Sequence, residues 1–528
     1  VTTPPRPIKS LPWELGESIV ALRRRAAESL GVSPDDVAEL RIRRLSLDAR
    51  RNTVRRIVRA DVWLVGDDIP PEELPIRRPP AGMQPLVAGQ APIVVGTGPA
   101  GLWAALRFVE EGQPCVLLER GEQLKQRHRD VVDLRRKGQL HPESNLCYGE
   151  GGAGTYSDGK LYTRKRDPLV RRVYEDLVAF GADPAILYEA HPHIGTNRLI
   201  RVLDALRSYL LEAGCVFRFG SRADGLLMDG RGRVAGVTLS DGAELTGSGV
   251  ILATGHSARD VYRWLHEAGV PMERKPFAIG ARCEHPQALI DQIQFGANYT
   301  HPDLEAAAYA IKAQVGGRGV YSFCMCPGGF VIPTPTETGH LNVNGMSAST
   351  RGSAYANAAL VVTLEPGDFW LQKPGDLDDH GPLAGLELQR ALESAAFVAG
   401  GGGYQAPAQR LTDFVDNRDG SLPERTSYRP DIAAANLRDV LPRRVTDAIG
   451  RALFRFDKQL KGYLTREAIL IGVETTTSSP IRIGRDEATL QAPGFEGLYP
   501  CGEGAGRAGG IVSSAIEGWR VADAALAR

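Results

Sequence analysis

Residues 93–101 read I-V-V-G-T-G-P-A-G, and residues 116–119 read V-L-L-E. An apolar strand, a glycine turn, a helix start, a second apolar strand and an acidic end make one βαβ unit that binds a dinucleotide. Gly96 permits the tight turn, Gly98 lets the backbone approach a pyrophosphate, and Gly101 lets the helix lie close to the strand. Glu119 falls at the separation from which an acid reaches a ribose hydroxyl. The glycine pattern alone also fits an ordinary turn in an α/β domain; the two strands and the acid make it specific.

Around this unit lies a chain of 528 residues, enough for two or three domains and a sizeable core. Lys+Arg and Asp+Glu both number 63, so the net charge is zero and nothing points to a polyanion partner. The arginine-rich stretches near Arg23 and Arg41 are interleaved with acids and apolar residues and read as a solvated face. No apolar run spans a bilayer and no apolar signal region precedes Trp13, so a cytoplasmic protein without membrane contact is expected. The 7 cysteines, odd in number and scattered, do not form a secreted disulfide framework. No Cys/His cluster has zinc spacing, so no metal is expected.

The expected fold class is α/β: a Rossmann-like domain with an inserted mixed α+β domain and a small N-terminal α/β domain. Residues 1–88 form the small unit, with a helix over 14–30, strands over 37–47 and 54–65, and a proline-rich linker over 69–85. The nucleotide domain covers 89–275 and resumes at 466–528; residues 276–465 form the substrate-side domain. After Glu119 a charged helix runs to Lys137, and a glycine-rich run, G-E-G-G-A-G-T-Y-S-D-G-K-L, occupies 149–161. A helix is expected over 199–213 and strands over 215–219, 225–228 and 233–239, with Asp229-Gly230 and Asp241-Gly242 as turns. Residues 250–255, V-I-L-A-T-G, read as a buried strand ending in a small-residue turn. From Gly497 the chain reads G-L-Y-P-C-G-E-G-A-G-R-A-G-G, a strand and glycine turn before a last helix to Ala527.

The fingerprint, the A-T-G strand end and the late G-L-Y-x-x-G-E strand end recur in an order that resembles FAD-binding proteins of the glutathione-reductase-like superfamily. More narrowly, the chain resembles the family of uncharacterised FAD-dependent dehydrogenases. The resemblance covers nearly the whole chain. It includes S-L-D-A-R at Ser46, the run at Gly149, P-H-I-G-T at Pro192, Y-S-F-C-M-C-P-G-G at Tyr321 and N-G-M-S at Asn344. It continues with A-P-A-Q-R at Ala406, G-V-E-T-T-T-S-S-P-I-R at Gly472 and G-E-G-A-G-R-A-G-G at Gly502.

The resemblance implies FAD as the cofactor. Gly96, Gly98 and Pro99 would place backbone N–H groups and a helix N-terminus on the pyrophosphate, with Gly101 behind them. Glu119 would accept from the adenosine ribose, with Arg120 beside it. Arg127 matches an arginine that approaches the pyrophosphate in related flavoproteins; it reads equally as a surface arginine. Arg222 and Ala223 would pass the adenine, and Ala253, Thr254 and Gly255 would line the cofactor without bulk. Gly502 and Glu503 stand where the wider superfamily has Gly-Asp, whose carboxylate bonds a ribityl hydroxyl. Gly509, Gly510 and Ile511 would open the last helix beneath the flavin O2, where its partial positive charge stabilises a reduced, anionic ring. Gly152, Ser157, Asp158 and Lys160 would lie against the isoalloxazine, with the lysine near N1 or N5. The alternative for that run is a structural loop with a solvated lysine.

Acid–base candidates are His191, His193 and His256, each of which also reads as a packed histidine. Glu474 and Arg482 read either as substrate-side groups or as a buried ion pair; Tyr404, Gln409 and Arg410 are further candidates for the cleft. Cys324 and Cys326 read as a redox pair or as packing residues sharing one strand face. No second fingerprint marks an NAD(P)H domain, although NAD(P)H can dock transiently at a flavin. The leading expectation is an FAD-dependent oxidoreductase passing hydride between flavin N5 and a small organic molecule. The alternatives are an FAD-dependent RNA-modifying protein, against which zero net charge counts, and a non-catalytic flavin-binding sensor or scaffold. In the last case the N-terminal domain contacts a partner or a second subunit.

Overall fold

The computed structural model describes residues 2–49, 54–163 and 166–527. The chain begins with β1 (Arg6–Glu14), α1 (Ile19–Leu30), β2 (Val37–Asp48) and β3 (Arg55–Leu64). It continues through β4 (Ile93–Val95), α2 (Pro99–Glu110), β5 (Val116–Leu118), α3 (Leu124–Lys137), α4 (Leu169–Ala179), α5 (Thr196–Glu212) and β6 (Val216–Arg218). Three strands follow, β7 (Ala223–Met228), β8 (Val234–Leu239) and β9 (Glu244–Thr246), then β10 (Val250–Leu252), α6 (Arg259–Glu267) and β11 (Met272–Arg274). The next stretch holds β12 (Phe277–Pro286), α7 (Gln287–Phe295), β13 (Lys312–Val315), β14 (Arg318–Cys326), β15 (Phe330–Pro333), β16 (Val343–Met346) and β17 (Tyr355–Leu364). After these come α8 (Ala384–Ala399), β18 (Ala406–Arg410), α9 (Leu411–Asp416), β19 (Ile432–Ala434), α10 (Leu437–Val440) and α11 (Arg443–Gln459). The chain closes with β20 (Ile469–Glu474), β21 (Ile481–Ile483), β22 (Leu498–Pro500) and α12 (Ile511–Leu526).

The fold is mixed α/β and contains a five-stranded sheet in the order β22-β10-β4-β5-β6, parallel throughout. Strands β4, β5, β10 and β22 are short and buried at every position. That is the pattern of a parallel sheet covered on both faces. From β4 the chain passes through α2 to β5 on one side, while β10 and β22 add on the other. The strand order therefore reverses between β4 and β10, and the crevice beyond the carboxyl ends there is where such sheets bind ligands. Helix α12 packs on α2, and only glycine fits the crossing: a Cβ at Gly518 would fall 1.9 Å from the Ala100 carbonyl oxygen.

A seven-stranded sheet, β13-β14-β17-β12-β20-β18-β19, carries the largest apolar core. Strands β12 and β17 pair antiparallel along their full lengths, Phe277 opposite Leu364 and Pro286 opposite Tyr355. Helix α11 lies across β12, β13, β14 and β17, and α8 lies against β18 and β20. The chain enters and leaves this sheet through the antiparallel pair β11–β21. Among the described residues no helix is long and apolar enough to cross a membrane.

The N-terminal unit is a sheet β1-β3-β2 carrying α1. Two details differ from the sequence reading. The first strand, β1, went unrecognised because its prolines and a bulge between Ile8 and Leu11 interrupt the alternation. The helix expected from Glu14 starts at Ile19, because Gly16 takes φ +78° and turns the chain first. The unit docks on the rest of the chain: Leu45 N donates to Tyr188 O and Ala190 N to Leu45 O, both at 2.8 Å. Arg56 pairs with Asp303 at 3.2 Å. Within the S-L-D-A-R string, Arg50 lies outside the described residues.

Candidate functional site

The tips of β4, β10 and β22 bring three sequence-distant turns together. Gly96, at φ +106°, passes so close to β10 that a Cβ would fall 2.3 Å from the Ala253 oxygen. Gly504 crosses the Gly255 carbonyl in the same way, with a Cβ 2.5 Å away. Gly502, at φ +72°, abuts Ala100 at the start of α2. Thus Gly96, Gly98, Pro99, Ala253, Thr254, Gly255, Gly502 and Glu503 share one edge, although residues 101 and 502 are some four hundred positions apart.

The run at 149–161 closes onto this edge. Gly151 N donates to Thr97 O at 3.0 Å, and a Cβ at Gly152 would fall 3.1 Å from the Gly98 Cα. Gly154 lies against Pro99 and Ile511, joining the openings of α2 and α12. Ser157 shapes the loop exit: its Oγ donates to Gly154 O at 2.7 Å and accepts from Gly159 N at 3.0 Å.

Arg127 organises the loop. It is 0% exposed. Its Nε donates to Asn145 O at 2.9 Å, its Nη1 to Gly149 O, Glu150 O and Thr155 Oγ1, and its Nη2 to Leu146 O and Gly152 O. The guanidinium also lies 5.0 Å from the centre of the Tyr156 ring. Burial pulls its pKa below the usual arginine value, opposed by charge on Tyr156, Glu119 and Glu150. Arg127 is therefore no surface residue, and its contacts run to the loop backbone.

The carboxylate of Glu119 is likewise taken up by the chain. One oxygen accepts from Thr97 N at 3.0 Å and Thr97 Oγ1 at 2.7 Å, the other from Gly121 N at 3.0 Å and Gly149 N at 2.9 Å. It ties the fingerprint turn to the glycine run. Arg120 stacks over Tyr148 and bonds Glu143 at 2.8 Å and Asp260 at 2.9 Å. Arg222 joins it on Glu143, and Ala223 is buried beside them at the start of β7.

Several features of this edge are left open by the protein. Helices α2 and α12 start at Gly98 and Gly510 with no side-chain cap and no acid in the first turn. Their first N–H groups have no partner within their own helices. A Cβ at Gly509 or Gly510 would meet nothing within 4 Å, so the protein alone does not require glycine at these two positions; Gly255 also faces open space, but its φ of +72° itself favours glycine. Glu150 uses one carboxylate oxygen on Leu124 N and Arg207, while its buried Oε1 has no donor. Such an acceptor calls for a ligand or water hydroxyl. Free N–H donors at two helix starts, glycines at 509 and 510 with no neighbour at the Cβ position, and an unfilled acceptor fit FAD.

The weak candidates are distributed more widely. His256 stands next to the β10 tip, and its Nε2 lies 2.8 Å from Thr476 O beyond β20. His193 pairs through its backbone with Lys160 and places Nε2 3.4 Å from Ser349 O. Burial and the Arg351 charge pull its pKa down. His191 is exposed beside Tyr162, its pKa lowered by partial burial and Arg44. Tyr404, Gln409 and Arg410 lie in and just before β18. Tyr404 O accepts from the Tyr428 hydroxyl, Gln409 bonds the Arg418 and Leu437 backbone, and Arg410 bonds Ser421 O and Arg466 O.

Glu474 pairs with Arg282 on the adjacent strand β12, not with Arg482, which reaches Glu273. Arg282 also donates to Cys324 O at 2.9 Å, Asn357 Oδ1 at 3.1 Å and Asn344 Oδ1 at 2.6 Å. The sequence reading missed Arg282, although one cation inside the apolar strand F-A-I-G-A-R-C was a usable signal: a buried charge needs a partner. Burial, opposed by Arg282, pushes the Glu474 carboxyl up to about 7. The folded state then holds this proton more tightly than the unfolded chain does. Stability lent by Glu474 is full below the ordinary carboxylate pKa and is lost as pH rises through about 7. Glu474→Gln is expected to flatten the fall in stability between pH 5 and pH 7.5, as read from urea midpoints; an unchanged slope contradicts the assignment.

Cys324 and Cys326 do not lie on a regular strand. Register with β17 breaks between Phe323 and Cys326, and Cys324 takes φ +46°. Lys160 crosses from the glycine loop to this bulge, donating to Met325 O with Nζ 3.9 Å from Cys326 Sγ. Among the described residues no group of three or more His, Cys, Asp or Glu side chains could hold a metal.

Comparison with known proteins bears on the cofactor. Residues 276–477 match the family described as "FAD-dependent protein, C-terminal domain-like", and residues 10–63 match a domain of unknown function. A protein of Clostridium beijerinckii, described as an uncharacterized protein, is 38% identical over 535 residues, spanning 98% of this chain and 97% of its own. Among solved structures, L-amino acid deaminase from Proteus myxofaciens has a TM-score of 0.35 at 9% identity, covering 86% of this chain and 93% of its own. Glycine oxidase from Bacillus cereus has a TM-score of 0.34 at 12% identity, covering 83% and 95%. Structural likeness this low transfers neither residues nor activity. The sequence relatedness places the protein: it belongs to the same family as the Clostridium protein, its residues 276–477 match the FAD-dependent family, and its cofactor is FAD.

Proposed function

We propose that the protein is an oxidoreductase with a glutathione-reductase-type FAD domain in two parts, 89–275 and 466–528. The substrate domain is 276–465, and residues 1–88 form an accessory unit. The observation that carries this reading is the pair of uncapped helix N-termini, α2 and α12, opening at one sheet edge beside glycines that the protein alone does not need. The bound isoalloxazine would supply hydride chemistry at N5 toward a small organic substrate.

The chain's own residues supply the rest. The α2 opening holds the pyrophosphate with backbone N–H groups. The first turn of α12 places its positive end where a reduced ring carries negative charge. Glu503 extends from the β22 tip, where its carboxylate is available to a ribityl hydroxyl. His256 serves as the proton acceptor: with Nε2 donating to Thr476 O, Nδ1 is the ring nitrogen left to accept, approached only by Ser257 Oγ at 3.5 Å. The docked N-terminal unit adjoins the segment that leads to His191 and His193.

Purified protein is expected to carry flavin absorbance, or to acquire it on adding FAD, and to be bleached by anaerobic reductant with return on readmitting an oxidant. Protein that stays colourless and takes up no FAD contradicts the reading.

A further inference from the structure

We propose that Cys324 and Cys326 form a thiol–disulfide exchange centre that reduces a low-molecular-weight disulfide, in addition to the flavin site. The bulge in β14 carries the inference. In a regular strand, residues two apart would be held at a fixed spacing by the ladder. Here the ladder is interrupted at Cys324, which sits in the left-handed region. The turn folds Cys326 Sγ back to within 3.4 Å of Cys324 O.

The two thiols have unlike surroundings. Cys324 is partly exposed, whereas Cys326 is 0% exposed. Lys160 binds the peptide between them, and Arg282 binds the Cys324 carbonyl from the other side. Both cations are fixed by carboxylates, Lys160 by Asp158 at 3.7 Å and Arg282 by Glu474. The neighbouring Cys326 side chain, assisted by Lys160 and Arg282, draws the Cys324 thiol below its usual range, and burial opposes this. The Cys324 side chain and burial push Cys326 up. A partly exposed thiol beside a fully buried one, with Lys160 and Arg282 next to the bulge, is the arrangement in which the first attacks and the second resolves.

The step balances as follows in sulfur, electrons and protons. Cys324 thiolate attacks one sulfur of a disulfide RS–SR′, forming Cys324–S–S–R and releasing R′S⁻, which takes a proton from water. Cys326 gives up its proton and attacks Cys324 Sγ. The internal disulfide forms, the bond to R breaks, and RS⁻ leaves with that proton. Two thiols of the protein are oxidised, and one disulfide is reduced to two thiols.

The test uses the full-length protein, flavin included, equilibrated in mixtures of oxidised and reduced glutathione, quenched in acid, labelled with maleimide and digested with trypsin. Cleavage after Arg318 and Arg351 places both thiols on one peptide that holds none of the other cysteines. The expected result is loss of both labels from that peptide, with a mass lower by two hydrogens than the unlabelled dithiol. Cys326→Ser should then carry one glutathione on Cys324, whereas Cys324→Ser should carry none on Cys326. Lys160→Gln should slow alkylation of Cys324 at neutral pH by about tenfold. The inference is overturned if the wild-type peptide keeps both labels in the most oxidising mixture. Equal glutathionylation of the two single variants overturns it as well. None of these readouts depends on flavin turnover, so loss of the flavin reading would leave this result standing.

Discussion

Replacing Arg127 by methionine is expected to destabilise the protein by at least about 4 kcal/mol and to yield protein without bound FAD. The guanidinium makes six hydrogen bonds, five of them to carbonyls between Asn145 and Gly152. A bond to a charged donor contributes about 1.5–3 kcal/mol, and a buried carbonyl stripped of its donor costs about 1–3 kcal/mol. Methionine fills the volume but offers no donor, so several carbonyls lose their partner together. The glycine run would then no longer hold its place against Gly98 and Ile511. Arg127→Lys is expected to recover only part of the loss, because one ammonium has three donors and no planar fork. Urea unfolding and the flavin-to-protein absorbance ratio measure the two effects. A methionine variant with a full complement of flavin would show that the loop is positioned by something else.

The second large effect is a contrast between two glycines. At Gly101 a Cβ would fall 1.9 Å from the Gly96 oxygen and 3.1 Å from Val94 Cγ1. Neither the β4 backbone nor α2 can yield without separating helix from sheet. Gly101→Val is therefore expected to cost more than about 3 kcal/mol and to abolish binding. At Gly510 the backbone is extended, with φ 169°, and a Cβ meets nothing within 4 Å. Gly510→Val is expected to change stability by less than about 1 kcal/mol and yet to lose FAD, because the side chain enters the space ahead of α12. Thermal unfolding and FAD titration separate these outcomes. A Gly510→Val protein that binds FAD unchanged would move the ring away from α12.

Both expectations start from glycines that the sequence already marks, but for different reasons. Gly96 and Gly101 belong to a local pattern in which turn, helix and strand lie within nine residues, so spacing alone fixes their roles. Gly509 and Gly510 acquire meaning from a helix end that faces a sheet edge built hundreds of residues earlier. The 149–161 run was expected against the isoalloxazine, whereas its attachment to the fingerprint turn through Thr97 and Gly98 was not legible. Arg127 reaches carbonyls 18 to 25 positions ahead, and carbonyls carry no sequence signal. Arg282 and Glu474 each stand out as a charge in an apolar strand, yet their pairing depends on β12 and β20 being neighbours across 192 positions.

What the sequence determined by itself was the βαβ unit, FAD as the cofactor, and a mixed α/β stretch between the segments that share the parallel sheet. These depend on short-range spacing and hydrophobic period, which any chain with these residues must obey. The tertiary structure decided which side chains are spent on the protein and which are left for a ligand. Glu119 and Arg127, both marked as cofactor contacts, turn their hydrogen-bonding groups onto the chain. Gly255, Gly509 and Gly510 face open space. The bulge that joins Cys324 to Cys326 likewise arises from how β14 meets β17. Hydrogen-bond saturation and steric room are properties of three-dimensional neighbours, and only packing the two sheets against the glycine run fixes them.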